Sequence, residues 1–130
     1  MSAARLRSPV STIIEDDLHF ALAEWLTKYA RIKGSWWHTP NTSSSIPYAM
    51  KLKRMGRKAG VFDFQFMRYP NFSAFIELKL HPNNLSDDQE IFCANLIRMG
   101  VPYAVIRTRS PEATIAQAQT FLRENGFISA

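Results

Sequence analysis

Between Gly60 and Lys79 the chain alternates apolar and polar residues with period two, twice over. That alternation predicts two half-buried strands. Phe62, Phe64 and Phe66 fall on one face of the first strand, and Asp63 and Gln65 on the other. In the second, Ala74, Ile76, Leu78 and Leu80 share a face, opposite Phe75, Glu77 and Lys79. A Pro-Asn turn at Pro70–Asn71 joins them into a hairpin. Centring the turn on Pro70 sets Asp63 opposite Glu77, each seven residues away. Residues opposite each other in an antiparallel pair point to one face, about 5 Å apart.

The rest of the chain carries helical spacing. Thr12-Ile13-Ile14-Glu15 has the form of a capping box and opens a helix over about 13–31, with Ile14, Leu18, Ala21, Leu22, Trp25, Leu26 and Tyr29 toward the core and Gly34 as its stop. Ser35–His38 is expected as a short strand. Pro47 is placed as a first helical residue, and a short basic helix over 48–55 ends at Gly56. After the hairpin and the loop His81–Leu85, Ser86-Asp87-Asp88-Gln89 forms a second capping box. It opens a helix to Met99, stopped by Gly100, with Gln89, Phe92, Cys93, Leu96 and Ile97 on one face. Residues 102–108 are expected as a strand parallel to the second hairpin strand, since a helical crossover separates the two. Ser110-Pro111-Glu112 opens a last helix to about Asn125. The predicted fold class is α/β (α+β mixed): a small central mixed β-sheet flanked by helices. The expected organisation is a flexible basic N-terminus over 1–11 and one domain over 12–130.

Composition narrows the function classes. The 130 residues are 46% hydrophobic and 12% aromatic, which fits a globular chain with a core. No apolar run approaches the ~18 residues that span a membrane, and the N-terminus lacks an apolar signal region. One cysteine, Cys93, makes no intramolecular disulfide, and a reducing, cytoplasmic setting is expected. The net charge of +5 favours an anionic partner, of which nucleic acid is the commonest.

The hairpin holds the candidate chemistry. Asp63, Gln65, Glu77 and Lys79 share one face, and two carboxylates that close repel unless a cation lies between them. Hard divalent cations such as Mg2+ favour oxygen cages of this kind. Lys79 is placed to orient a water or stabilise a phosphorane charge. A polar face of mutually paired charges is the alternative, but Val61, Met67 and Phe75 make that face partly apolar. Gln89 points toward the sheet from the helix end nearest the acids, as a site residue, as a cap of its own helix, or as both. Lys51, Lys53, Arg54, Arg57 and Lys58 place five cations within eight residues, suited to phosphates or to a solvated helix face.

In this order and spacing the residues resemble the virus-type replication-repair nuclease (VRR-NUC) domain, a branch of the PD-(D/E)XK, restriction-endonuclease-like superfamily. The resemblance runs from about Glu15 to Leu122. It rests on Glu15, Lys53-Arg54-Met55-Gly56, Gly60-Val61-Phe62-Asp63, Phe75-Ile76-Glu77-Leu78-Lys79, Leu85-Ser86-x-x-Gln89, Leu96, Gly100 and Tyr103-x-Val105. Phe62 stands where the family has proline, a change that suits a buried face shared with Phe64. The resemblance implies an αβββαβ core and a metal-dependent, structure-selective DNA endonuclease. Asp63, Glu77 and the Leu78 carbonyl would hold Mg2+ or Mn2+; Lys79 and Gln89 would complete the site. Glu15 would join through a second metal or a water, unless the Thr12 capping box claims it. Phosphate contacts are expected from the basic helix, then Arg107 and Arg109. His38 and Asn41 lie within reach of DNA, with a structural or solvent-facing His38 as the plainer alternative. Stand-alone members resemble Holliday-junction resolvases, which implies branched DNA, a homodimer and a viral or phage setting inside a cell. A non-catalytic DNA-binding module of the same fold is the rival expectation, beside a nuclease of flap, nicking or RNA preference.

Overall fold

The computed structural model describes residues 12–39 and 46–129. The N-terminal lead-in over 1–11 and Asn41 therefore lie outside the described residues. The elements follow in the order α1 (Glu15–Lys28), β1 (Ser35–His38), α2 (Ile46–Arg54), β2 (Phe64–Arg68), β3 (Phe72–Leu80), α3 (Asp87–Met99), β4 (Tyr103–Thr108) and α4 (Pro111–Glu124). That is the element order expected from the sequence. Among the described residues no helix is long and apolar enough to cross a membrane.

The four strands form one mixed sheet in the order β1-β2-β3-β4. β1 and β3 both run antiparallel to β2, while β3 and β4 are parallel. Helices cover both faces. On one, Leu18, Leu22 and Leu26 of α1 and Ala118 and Leu122 of α4 pack with Phe64, Phe66, Ala74, Ile76, Leu78 and Ile106. On the other, Leu96, Phe92 and Cys93 of α3 pack with Phe62, Phe75, Tyr103 and Val105. This second layer explains why apolar residues stand among the charges of β3. The alternate face of the strand is not solvent; it is the seat of α3.

Several details depart from the pattern. α1 starts at Glu15 and ends at Lys28, three residues short of the expected end. Its entry is closed by Asp17, whose carboxylate accepts the Ile14 N–H at 2.9 Å, so the expected Thr12–Glu15 box is corrected to an Ile14–Asp17 contact. Ile14, Tyr29 and Ile97, expected in the core, are exposed. Helical spacing places each at the margin of its apolar stripe, where the neighbouring layer no longer reaches. Gly34 does not stop α1. It has φ +108, and a Cβ there would stand 2.1 Å from the Met67 carbonyl, so glycine is needed where β1 closes on β2.

The entry to β2 is the largest correction. The ladder begins only at Phe64, and Asp63 occupies a bend before it. Phe62 consequently turns to the α3 layer, stacking near Phe92 at 5.2 Å between ring centroids, and does not share a face with Phe64. Gly60 makes this approach possible. It adopts φ +84, and a Cβ would lie 2.4 Å from the backbone of Asp88 at the start of α3.

Candidate active site

β3 outruns its partner. The β2–β3 ladder ends at Phe64 opposite Ile76, but β3 continues to Leu80. On that edge every second N–H loses its strand partner, and side chains replace it. Asp63 accepts the Leu78 N–H at 2.8 Å through Oδ2. Glu15, at the first turn of α1, accepts the Leu80 N–H at 3.3 Å through Oε1. The N–H and C=O of one strand residue point the same way, so the Leu78 carbonyl also faces this vacated edge. The candidate site is therefore a gap in the sheet lined by carboxylates and strand backbone.

Glu77 closes the gap from the α3 side. It is almost fully buried, at 1% exposure. Its Oε1 accepts the Asp63 N–H at 3.0 Å, and its Oε2 accepts from Gln89 Nε2 at 2.6 Å. The register extrapolates to Asp63 opposite Glu77, as the turn geometry predicts. Burial holds both carboxyls above the usual carboxylate range; the neighbouring Glu15 charge adds to this for Asp63, and the Asp63 charge for Glu77. The Leu78 N–H and the Lys79 ammonium pull the other way at Asp63 without outweighing desolvation. Lys79 is two residues past Glu77 on the same face of β3 and pairs in register with Arg107.

Gln89 caps its own helix and also reaches Glu77. Its Oε1 accepts the Ser86 N–H at 2.9 Å, completing the capping box of α3, while its Nε2 holds Glu77. The cap fixes the side chain that positions the acid.

Two histidines complete the surroundings, and one of them the sequence did not single out. His19 lies one turn beyond Glu15 on α1, with Nε2 3.5 Å from Asp63 Oδ2 and 4.0 Å from Glu15 Oε2. Its Nδ1 shares a 2.9 Å hydrogen bond with His38 Nε2. Burial, then the His38 ring, pushes His19 down to about 4, and burial also lowers His38. Both rings are thus neutral at pH 7. The signal for His19 was its i,i+4 spacing from Glu15, meaningful only once Glu15 is known to face the sheet.

The basic residues separate into groups. Lys53 and Arg57 line a cleft of about 340 Å3 with Ala49, Gly60, Asp88 and Gln89, so the cleft abuts the carboxylate gap through Gln89. Lys58 lines a neighbouring depression beside Val61 and Phe92. Lys51 and Arg54 are exposed on α2 and do not line the cleft. Arg107 and Arg109 brace the β3–α3 connection, donating through Nε to the Asn83 and His81 carbonyls at 2.7 and 3.0 Å.

The three-dimensional arrangement has a counterpart among solved structures. A protein described as "VRR_NUC domain protein" matches over 87% of this chain and 91% of its own, with a TM-score of 0.64 at 22% identity. The fold is that of a VRR_NUC domain protein. No family model and no curated protein matches the chain. In this VRR_NUC fold the gap at the end of β3 is where α1, the β2 entry and the start of α3 meet, so four elements contribute to one site.

Proposed function

We propose that this chain is a metal-dependent DNA endonuclease, with Asp63, Glu77 and Lys79 at its centre. The observation that carries the reading is the meeting of Asp63, Glu77 and Gln89 at the vacated edge of β3, with Lys79 on the same strand. The motif string resembles that of a nuclease family, and the matching structure bears that family's name. The donor set fits a hard divalent cation. Two neighbouring buried carboxyls carry a charge conflict that an ion would relieve, and the Leu78 carbonyl supplies a third oxygen. Asp63, Glu77 and Leu78 would hold Mg2+ or Mn2+, which supplies Lewis-acid polarisation of a phosphate and a lowered pKa for water.

The chain's own groups divide the remaining work. Lys79 orients the attacking water and offsets negative charge developing on phosphorus. Gln89 keeps Glu77 in place from a capped helix. Glu15 holds the Leu80 backbone through Oε1, with its Oε2 4.0 Å from His19 Nε2. Lys53 and Arg57 receive the phosphates flanking the scissile bond, with Lys51, Arg54 and Lys58 extending the track. Branched DNA as substrate and a homodimer as the working form follow from the family resemblance; a two-fold dimer would present two sites to one junction.

The test is cleavage of four-way junctions, flaps and linear duplex in Mg2+ and in Mn2+. Wild type is expected to cut, with the junction preferred. Asp63→Ala and Lys79→Ala are expected to lose activity by a hundredfold or more, a range typical of removing a charge-stabilising group (~10²–10³). Wild-type rates in Asp63→Ala would overturn the assignment of the centre. DNA binding without cleavage of any substrate would favour a binding module.

A further inference from the structure

We propose a second cation position beside the carboxylate gap, formed by His19, His38 and Asp63, which takes nitrogen-favouring divalent ions such as Co2+ or Zn2+ and not Mg2+. Each of the three offers one ligand atom, and these atoms lie within 4.8 Å of one another. They come from three elements that the fold converges. His19 is one turn past Glu15 on α1. His38 ends β1, paired in register with Phe64. Asp63 is the bend residue immediately before Phe64.

With metal–nitrogen distances near 2.0–2.1 Å, neighbouring ligand atoms stand about 3–3.4 Å apart. His19 Nε2 lies 3.5 Å from Asp63 Oδ2, near that spacing, while the 2.9 Å contact to His38 Nε2 is made by the other ring nitrogen, His19 Nδ1. With all three ligand atoms within 4.8 Å, an ion closes the set by a small shift of the exposed His38 ring. The rings are held before any ion arrives. They meet edge to face, centroids 5.1 Å apart at 88°, and both rest on Phe64, at 5.9 and 4.9 Å. Each neutral imidazole keeps one lone-pair nitrogen. An ion would take one nitrogen from each ring in place of the hydrogen bond between them.

Ligand chemistry sets the preference. Two imidazoles and a carboxylate suit Co2+ and Zn2+, whereas Mg2+ favours oxygen donors and retains its waters. The Glu77 side of the gap, facing Gln89, offers oxygens. The α1 side adds the nitrogens, with the Glu15 carboxylate 4.0 Å from His19 Nε2 beside them. Asp63 stands between and belongs to both, so this site would sit next to the one assigned above without depending on DNA cleavage.

The experiment is titration of the full chain with Co2+, read by its visible ligand-field absorption and by calorimetry, in wild type, His19→Gln and His38→Gln. Folding is monitored by circular dichroism, and Mg2+ binding is measured in parallel. Saturable Co2+ binding in wild type is expected, weakened about tenfold or more by either substitution, with Mg2+ affinity unchanged. Should His19→Gln fail to fold, His38→Gln, at an exposed position, decides alone. Co2+ spectra and affinity indifferent to the histidines, or no saturable Co2+ binding in wild type, would overturn the proposal. The two readings fail separately. Histidine-dependent Co2+ binding without cleavage of any DNA would fault only the nuclease, and cleavage with histidine-independent Co2+ binding would fault only this site.

Discussion

At the scale of single residues, the centre is built against its own electrostatics. The Asp63 carboxyl is raised above its ordinary value by burial and, less, by the Glu15 charge. A carboxyl raised in the fold favours folding below its unfolded pKa and loses that contribution as pH rises through the folded value. Asp63→Asn removes the loss while keeping an oxygen for the Leu78 N–H and a donor toward Glu77. In metal-free protein the variant is therefore expected to match wild type near pH 4 and to be more stable by ~1 kcal/mol or more at pH 8, while losing cleavage. Urea denaturation at both pH values measures this; a variant less stable than wild type at pH 8 contradicts it. His19 works in the opposite sense. Its folded pKa of about 4 lies below the ordinary histidine value of 6.5, so its contribution is present above pH 6.5 and is lost as pH falls to about 4. His19→Gln should flatten that acid limb by on the order of 2–3 kcal/mol. That Glu77 and Lys79 share a face was legible because both lie in β3, where alternation holds; Asp63 faces Glu77 as the turn register predicts, but from a bend before β2 that alternation did not show. His19 was not, because a lone half-buried histidine on a helix gives no periodic signal. Glu15 was obscured by Thr12, whose spacing imitates a cap that Asp17 in fact supplies.

Among the elements, the decisive fact is a mismatch in strand length. β2 stops at Phe64 while β3 runs on to Leu80, and the four unmatched residues, 77–80, include both Glu77 and Lys79. Element order and strand pairing were legible, since capping boxes, turn residues and the two periodicities mark them locally. The start of β2 was not. Alternation from Phe62 to Phe66 reads as one strand, and only the approach of α3 shows that Phe62 and Asp63 leave the ladder. Gly60 is the hinge of that approach, 2.4 Å from the Asp88 backbone if given a Cβ. Gly60→Ala is therefore expected to cost about 1–3 kcal/mol through overpacking and a strained positive φ. It should also reduce cleavage more than its stability loss explains, because displacing the start of α3 draws Gln89 from Glu77. Denaturation midpoints and single-turnover rates at a temperature where the variant is fully folded separate the two effects. An unchanged rate in the folded variant would mean that Gln89 need not be held there.

For the whole molecule, the question is how a chain of net charge +5 uses its cations. Charge count alone predicts a diffuse attraction to DNA, salt-sensitive and unoriented. The fold concentrates it: Lys53 and Arg57 meet at the cleft that abuts Gln89, while Lys51 and Arg54 sit on the exposed surface of α2. If each cleft residue neutralises one phosphate, removing both reduces the slope of log affinity against log salt by about 0.9 for each, or ~1.8 in all on duplex DNA. Lys53→Ala with Arg57→Ala is accordingly expected to weaken binding most at low salt and to lower cleavage at subsaturating DNA. Lys51→Ala with Arg54→Ala, equal in charge removed, should change the slope by less than half as much. Binding measured across a salt series by fluorescence anisotropy, without added divalent ion and with Asp63→Ala as background, gives both slopes directly. Equal slopes in the two pairs would show that charge acts without regard to place, and the cleft would then have no special part in holding DNA. Unequal slopes would tie the basic segment to the carboxylate gap through Gln89, making one continuous surface from phosphate capture to the centre.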